Sequence, residues 1–183
     1  MIEANELLIK FRTHVMPLFP FVIIPDEDLP TLRQNSPFLL LYLITASLEN
    51  NPPLQQRMET EVRKTIATRL ILNMERNMDL LLGLLVHIAW CHYDWRTYHT
   101  QVYMFLQIAM MVVVDVGLDK YENFRMQRIA QDAHPSQKKN GLHSTPTGQR
   151  ALLGCFYLCS KYVILHSNPT KMLTTINDRA SLF

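Results

Sequence analysis

The stretch Met78–Asp94, MDLLLGLLVHIAWCHYD, decides the fold. Eight of the eleven residues in Leu80–Trp90 are large and apolar, and the other three are Gly83, His87 and Ala89. A helix at a protein surface keeps a polar face at 3.6-residue spacing, and this stretch has none. It therefore predicts a helix that other elements surround on all sides.

The composition supports one helical domain around that central helix. The chain has 183 residues, of which 48% are apolar and 19% charged, and it contains only five glycines. This is enough apolar material for a substantial core, and the shortage of glycine favours helix over sheet. The 18 basic and 16 acidic residues are spread thinly. Because no dense Lys/Arg run is present, direct contact with nucleic acid is not predicted.

The cysteines and the apolar runs predict an intracellular, soluble protein. Cys91, Cys155 and Cys159 cannot all pair with one another, and the opening residues Met1–Ala4 have neither a basic segment nor an apolar core. We therefore expect reduced thiols and no secretory signal. Every apolar run is shorter than the roughly 18–20 residues that cross a bilayer, so no membrane segment is predicted.

The periodic spacing of apolar residues and the positions of helix-breaking residues predict an all-α domain. It has about six to seven helices packed around the central helix, with an extended N-terminal arm. Ser36-Pro37 predicts a capped helix start, Asn77 a cap for the central helix, and Gly117 a left-handed helix end. The predicted helices cover residues 2–16, 37–49, 54–75, 78–94, 98–116 and a segment from about 149 onward. The arm is FVIIPDEDLP at residues 21–30.

The domain prediction is a single unit over residues 1–183 with two less regular segments. Residues 131–149, QDAHPSQKKNGLHSTPTGQ, carry prolines and glycines with almost nothing apolar, and predict a mobile internal loop. Residues 167–183 form a polar tail, for which the pattern predicts no more than a last short helix.

Two pairs of residues have the spacing of metal ligands. His87 and Cys91 are four apart on one helix face, as are Cys155 and Cys159. All four lie in apolar helical runs, however, and buried cysteines behave as small hydrophobes. A core histidine and structural cysteines are the better interpretation, so no metal site is predicted. A catalytic cysteine would need an electropositive cleft, which these runs do not supply.

Catalysis is not predicted. The chain has no nucleophile elbow, no glycine-rich phosphate loop and no zinc-protease motif. One aromatic group, formed by Trp90, Tyr93, Trp95 and Tyr98, could line a ligand pocket at the end of the central helix. The alternative is that these rings serve as core and helix-end packing.

Five segments in a fixed order resemble a known family. They are FPFVIIP (19–25), LRQNSPFLLLYLITAS (32–47), MDLLLGLLVHIAWCHYD (78–94), LQIAMMVVVDVGLDK (106–120) and RALLGCFYLCS (150–160). The series, over about residues 18–165, resembles the regulatory (middle homology) domain of fungal zinc-cluster transcription factors. Members of that family bind DNA through a six-cysteine binuclear zinc cluster. This chain has three cysteines, all inside the resembling helices, so no zinc-ligand or DNA-contacting position is carried over and no cofactor is expected.

The resemblance implies a regulatory module of a nuclear transcription regulator, apparently truncated, since the series stops soon after residue 160. In that interpretation a small-molecule effector or a protein partner shifts the helical packing. Aromatic density points to Trp90, His92, Tyr93 and Trp95 as the ligand-binding residues. The alternative is a protein–protein interaction scaffold or oligomerisation module without ligand sensing, because a truncated domain leaves apolar helix faces that another chain, or a second copy, would cover.

Overall fold

The computed structural model describes residues 2–24, 26–48, 51–90, 95–119 and 145–167, with the backbone alone at 2–3, 95–100 and 163–167. The α-helices of this part of the chain are α1 (Ile2–Lys10), α2 (Leu29–Asn35), α3 (Pro37–Ser47), α4 (Pro52–Ile66), α5 (Met78–Trp90), α6 (Trp95–Asp115) and α7 (Pro146–Ser167). A π-helical segment, Phe11–Val15, and a 3-10 turn, Met16–Leu18, follow α1, and a second π-helical segment, Ala67–Leu72, follows α4. No strand occurs among these residues, and the all-α prediction is confirmed.

Helix α5 lies at the centre of the domain. Every residue from Leu80 to Ala89 is buried, and α3, α6 and α7 all pack against it. Burying one leucine of this kind contributes about 1.5–3 kcal/mol relative to leaving it in water. The predicted central helix is thus confirmed over Met78–Trp90, while residues 91–94 of the prediction lie outside the described part of the chain.

Helices α3 and α5 approach each other closely at Gly83. A Cβ atom added there would stand 2.7 Å from ring atoms of both Phe38 and Tyr42. Those two rings are themselves packed edge to face, with centroids 4.8 Å apart. Gly83 therefore lets two aromatic side chains of α3 lie directly on the backbone of α5.

Helix ends follow the capping rules in most places. Asn77 accepts a hydrogen bond from the amide of Leu80 at 2.9 Å, as predicted, and Asn51 and Asp28 cap α4 and α2 in the same way. Gly117 has a φ of 76°, which is the left-handed conformation predicted for the end of α6.

The start of α3 differs from the prediction. The Ser36 side chain makes no capping hydrogen bond. The carboxylate of Asp79 caps this helix instead, accepting from the amides of Leu39 at 2.8 Å and Phe38 at 3.2 Å. One side chain in the first turn of α5 therefore satisfies free donors of a helix that lies next to it in space.

The predicted N-terminal arm is confirmed as an irregular segment over residues 21–24 and 26–28, whereas Leu29 and Pro30 of the prediction belong to α2. Phe19, Val22 and Ile24 are buried, and Phe21 crosses α7 at Gly154. A Cβ atom at Gly154 would stand 2.7 Å from the Cβ atom of Phe21, so glycine is needed for the arm to lie this close.

One helix was missed, and two helices begin three residues earlier than predicted, α6 at Trp95 and α7 at Pro146. Helix α2 was missed because only Leu32 of its seven residues is buried, which leaves no periodic pattern. Helix α7 begins at Pro146, three residues before the predicted start near Gln149, because the Thr145 hydroxyl accepts from the amide of Gly148 at 3.0 Å. Residues 131–144 of the predicted loop and 168–183 of the predicted tail lie outside the described residues. Among the described helices, none combines the length and apolarity that a bilayer crossing would require.

Candidate functional site

A small cavity lies where the C-terminal half of α5 meets α3 and α4. Its volume is about 10 Å³, roughly the space for one water molecule. The residues that line it are Tyr42, Thr45, Ala46, Gln55, Glu59, His87 and Trp90. All but Ala46 carry a hydrogen-bonding group, although the surrounding core is apolar. We call this cavity the polar pocket.

His87 is the polar residue of α5 that faces the pocket. It is 5% exposed, and its ring centroid lies 5.0 Å from that of Tyr42 and 4.8 Å from that of Phe105. Its Nδ1 atom lies 4.0 Å from the Oε1 atom of Glu59 on α4. The prediction that His87 belongs to the core is confirmed.

The imidazole of His87 is neutral in this environment. Burial, with a smaller contribution from the positive charge of Arg63, lowers the pKa of His87 from 6.5 to about 3, because removing water disfavours the charged ring. Glu59 would favour the charged form, but 4.0 Å exceeds hydrogen-bond distance and burial dominates. A neutral ring has one donor nitrogen and one acceptor nitrogen, so both kinds of hydrogen bond are open to it.

Trp90 connects the polar pocket to the segment that precedes the N-terminal arm. It is half-buried at the end of α5, and its ring centroid lies 6.0 Å from that of Phe11 and 6.1 Å from that of Phe19.

Of the four residues predicted to bind a ligand, only Trp90 has a described side chain. His92 and Tyr93 lie outside the described residues, and Trp95 begins α6 with its backbone alone described. The structure therefore brings Trp90 into the polar pocket, and the ligand role of the group stays a prediction.

Sequence reasoning missed Gln55 and Glu59. Both lie on α4, where they border the apolar stripe Met58, Val62 and Ile66 at a spacing of four residues. Polar residues at the edge of an apolar stripe point partly toward the core, and that position was the available signal.

The cysteines of α7 are protonated thiols. Burial raises the pKa of Cys155 to about 12 and also raises that of Cys159. Metal binding and nucleophilic attack both need a thiolate, so neither thiol is suited to them. Cys91, which follows His87 by four residues, lies outside the described residues. Within the described part of the chain, no three His, Cys, Asp or Glu side chains come together in a way that could hold a metal ion.

The chain is similar to fungal transcription factors. The transcription factor himD of Aspergillus japonicus is 35% identical to it over 161 residues, which are 87% of this chain and 26% of that protein. A transcription factor of Aspergillus terreus (strain NIH 2624) is 32% identical over 124 residues, covering 67% of this chain and 21% of the relative. The transcription factor opdL of Penicillium oxalicum is 28% identical over 165 residues, covering 86% and 29%.

The chain spans about a quarter of the length of the curated relatives it matches. No protein-family model and no solved structure matches it. The chain is therefore related in sequence to these fungal transcription factors over the residues that match.

Proposed function

We propose that this chain is a regulatory module of a fungal transcription factor, in which an effector that enters the polar pocket shifts the packing of α4 against α3 and α5. The observation that carries the proposal is the concentration of hydrogen-bonding groups around His87 in a core that is otherwise apolar. Sites that bind small molecules combine apolar walls with a few convergent polar groups, and the lining of this pocket has that composition.

The pocket in its closed form holds about one water molecule, so an effector needs it to open. Helix α4 is the element suited to this movement. No residue in the span 52–61 is buried, whereas Val62, Ile66 and Leu70 further along are. The first half of α4, which carries Gln55 and Glu59, can therefore move while the second half stays anchored. Segments with few buried apolar contacts open at low free-energy cost.

The lining groups define the chemical class of the effector. Glu59 supplies an acceptor, the neutral His87 ring supplies either role, and Trp90 supplies a flat apolar surface. A small molecule with a hydroxyl or amine donor on a flat apolar body fits this set. Binding to the open form alone would shift the population toward it in proportion to the difference in affinity.

A thermal-stability screen with metabolites tests this function. At a hundredfold excess over its Kd, an effector adds about 2.7 kcal/mol of stability, which raises the Tm of a domain of this size by about 5–10 °C. Glu59→Gln removes the pocket carboxylate and should abolish the increase. Glu61→Gln is the matched control on the same helix, because Glu61 is exposed and contacts Lys64 at 2.7 Å; this variant should respond like the wild type.

Hydrogen exchange provides an independent measure of the same mechanism. The effector should protect backbone amides within residues 52–61 more than those of α5. A complete absence of stabilising compounds would contradict the proposal, and so would a compound that stabilises the Glu59→Gln variant as strongly as the wild type.

In the cell, we assign this module to the nucleus and give it no catalytic step, because the relatives bear the name transcription factor. We assign no residue of this chain to DNA contact or to zinc binding. A tag on the endogenous protein tests the location, and exclusion of the tagged protein from the nucleus would contradict it.

The second candidate function is a constitutive interaction module without ligand sensing. It is favoured by exposed apolar side chains on α6 and α7. Light scattering across concentration separates the two functions. A monomer stabilised by a small molecule supports sensing, whereas an oligomer that no compound stabilises supports the interaction module.

A further inference from the structure

The side chain of Ser36 does not cap the helix that it precedes. Across the described part of the chain, the N-cap side chains of α2, α4, α5 and α7 each accept a hydrogen bond from the first turn of their helix. Ser36 stands at the N-cap of α3 and carries an equally suitable hydroxyl group, yet it makes no capping hydrogen bond. The hydroxyl of Ser36 is therefore not used to cap α3.

The position that an N-cap side chain would fill in α3 is occupied by Asp79. An N-cap side chain reaches the second and third amides of its helix, and in α3 these belong to Phe38 and Leu39. Both amides donate to the carboxylate of Asp79, at 3.2 Å and 2.8 Å. The Arg69 guanidinium lies 3.4 Å from the same carboxylate, and its Cζ atom lies 5.8 Å from the centre of the Phe38 ring. A group added to the Ser36 hydroxyl would therefore meet one anion and one cation.

The sequence around Ser36 is open to a modifying enzyme. Ser36 is half-buried, and residues 33–35 and Pro37 beside it are exposed. A serine followed directly by proline, as in Ser36-Pro37, is what proline-directed protein kinases select. Such an enzyme needs its target segment free of helix. Helix α2 before Ser36 opens at low cost, because only Leu32 of its seven residues is buried.

We propose that Ser36 is a phosphorylation site, and that the phosphate displaces the Asp79 carboxylate from the first turn of α3. In this modification the Oγ atom of Ser36 forms a bond to the γ-phosphorus of ATP. The bond from that phosphorus to the oxygen of the β-phosphate breaks, ADP leaves, and the hydroxyl proton is released. The co-reactants are ATP and a protein kinase that recognises proline after serine.

A phosphate on Ser36 changes the charge balance at the start of α3. It adds a charge of about −1.5 to −2 at pH 7 and three acceptor oxygens. It can accept from the amides of Phe38 and Leu39, and the helix dipole favours an anion at this end. Asp79 has the same sign of charge and uses the same amides, so the two anions repel each other. Arg69 is attracted to the phosphate, which carries the larger charge.

The modified helix α3 thus keeps a cap but loses the carboxylate that joins its start to α5. Phosphorylation should therefore loosen the contact between these two helices. The proposal does not require an effector in the polar pocket, so it and the proposed function fail separately.

Phosphorylation of the folded full chain is the first test. A proline-directed serine/threonine kinase with magnesium and ATP should place phosphate on Ser36, located by mass spectrometry of peptides. Ser36→Ala should carry none at this position, and Pro37→Ala should lose most of the modification because the enzyme no longer finds proline after serine. A folded wild type that takes up no phosphate at Ser36 would overturn the proposal.

The thermal stability of the phosphorylated protein is the second test. Its Tm should lie about 3–6 °C below that of the unmodified protein, because the contact of Asp79 with α3 is lost. In Asp79→Asn the side chain has no charge to repel the phosphate, so modification should leave the Tm of this variant unchanged. An equal fall in both proteins would show that the phosphate does not act on Asp79.

Ser36→Asp gives a further readout that needs no kinase. Aspartate and serine are comparable N-cap residues and the dipole favours aspartate, so in an ordinary helix the Tm stays the same or rises. Here the Tm should fall by about 2–4 °C, because the new carboxylate meets that of Asp79. A Ser36→Asp variant as stable as the wild type would contradict the proposed repulsion.

Asn51→Asp is the matched control for this substitution. Asn51 also precedes a proline, and it caps α4 by accepting from the amide of Leu54 at 3.2 Å. This variant should have a Tm equal to or above that of the wild type. A fall as large as that of Ser36→Asp would show that any new carboxylate at a helix start destabilises this chain, and the proposal would be wrong.

Discussion

The Oδ1 atom of Asp79, in the first turn of α5, accepts a hydrogen bond at 2.8 Å from the backbone amide of Leu39, forty residues earlier in the chain. Its Oδ2 atom accepts from the amide of Phe38 and lies 3.4 Å from the Arg69 guanidinium. One carboxylate therefore joins the starts of α3 and α5 to the π-helical segment after α4. It fixes the position of α3 against the central helix, where the polar pocket also lies.

Replacing Asp79 with Ala should lower the free energy of unfolding by about 2–3 kcal/mol, because it leaves two amides of α3 without an acceptor in a largely buried position. Asp79→Asn keeps one acceptor oxygen and should lose less. Urea unfolding followed by circular dichroism measures both. Glu61→Ala is the control, since an exposed helix pair is worth under about 0.5 kcal/mol; equal losses for Asp79→Ala and the control would refute the capping role.

Gly83→Ala should destabilise the protein by about 1–3 kcal/mol, because the new methyl group overlaps the buried rings of Phe38 and Tyr42. In an ordinary helix interior the same change would stabilise by up to about 1 kcal/mol, since alanine has the higher helix propensity. The sign of the change is therefore the readout. Thermal unfolding decides it, and a Tm above that of the wild type would show that α3 does not lie on Gly83.

The central helix was predictable because its own sequence leaves no polar face, and that pattern needs no knowledge of neighbours. The same holds for the Asn77 cap and the left-handed Gly117, whose signals lie within a few residues. The cap of α3 was not predictable in this way. Ser36 is the candidate that lies next to α3 in the sequence. The helix is capped by Asp79 instead, whose carboxylate reaches the α3 amides only because α3 packs on α5.

The lining of the polar pocket likewise includes a residue that was predicted and residues that were not. Trp90 was predicted because it extends the apolar run of the central helix in an aromatic-rich stretch. Gln55 and Glu59 were not, because their position opposite His87 depends on the rotation of α4 about its axis. That rotation is set by Val62, Ile66 and Leu70 packing into the core. The sequence pattern of one helix does not specify which residues of a neighbouring helix its side chains face.

Tyr162→Phe should cost about 1 kcal/mol, because it removes a buried hydroxyl that donates to the carbonyl of Ile88 at 3.2 Å and keeps the ring in place. Denaturant unfolding measures the loss. Tyr157→Phe is the matched control, since Tyr157 lies on the same helix and is 47% exposed. A loss as large in the control would show that the effect is unrelated to the contact between α7 and α5.

The neutral state of His87 predicts a specific acid sensitivity. Its pKa is about 3 in the folded protein and 6.5 in the unfolded chain, so above pH 6.5 the residue contributes no pH dependence. As the pH falls below 6.5 the unfolded state takes up a proton that the folded state does not, and the free energy of unfolding falls by about 1.4 kcal/mol per pH unit. Between pH 7 and pH 5 this amounts to about 2 kcal/mol. Arg63 on α4 opposes protonation of the ring, and the Glu59 carboxylate on the same helix lies 4.0 Å away, beyond hydrogen-bond distance.

Urea unfolding at pH 7, 6 and 5 measures this slope in the wild type, in His87→Gln and in His14→Gln. The His87→Gln variant should be less stable at pH 7, because a core residue is replaced, yet its stability should fall by about 2 kcal/mol less than that of the wild type on going to pH 5. His14 is exposed and serves as the control for loss of an imidazole elsewhere in the chain. Parallel slopes for the wild type and His87→Gln would mean that His87 accepts a proton in the folded protein, and that the polar pocket admits water more freely than its volume indicates.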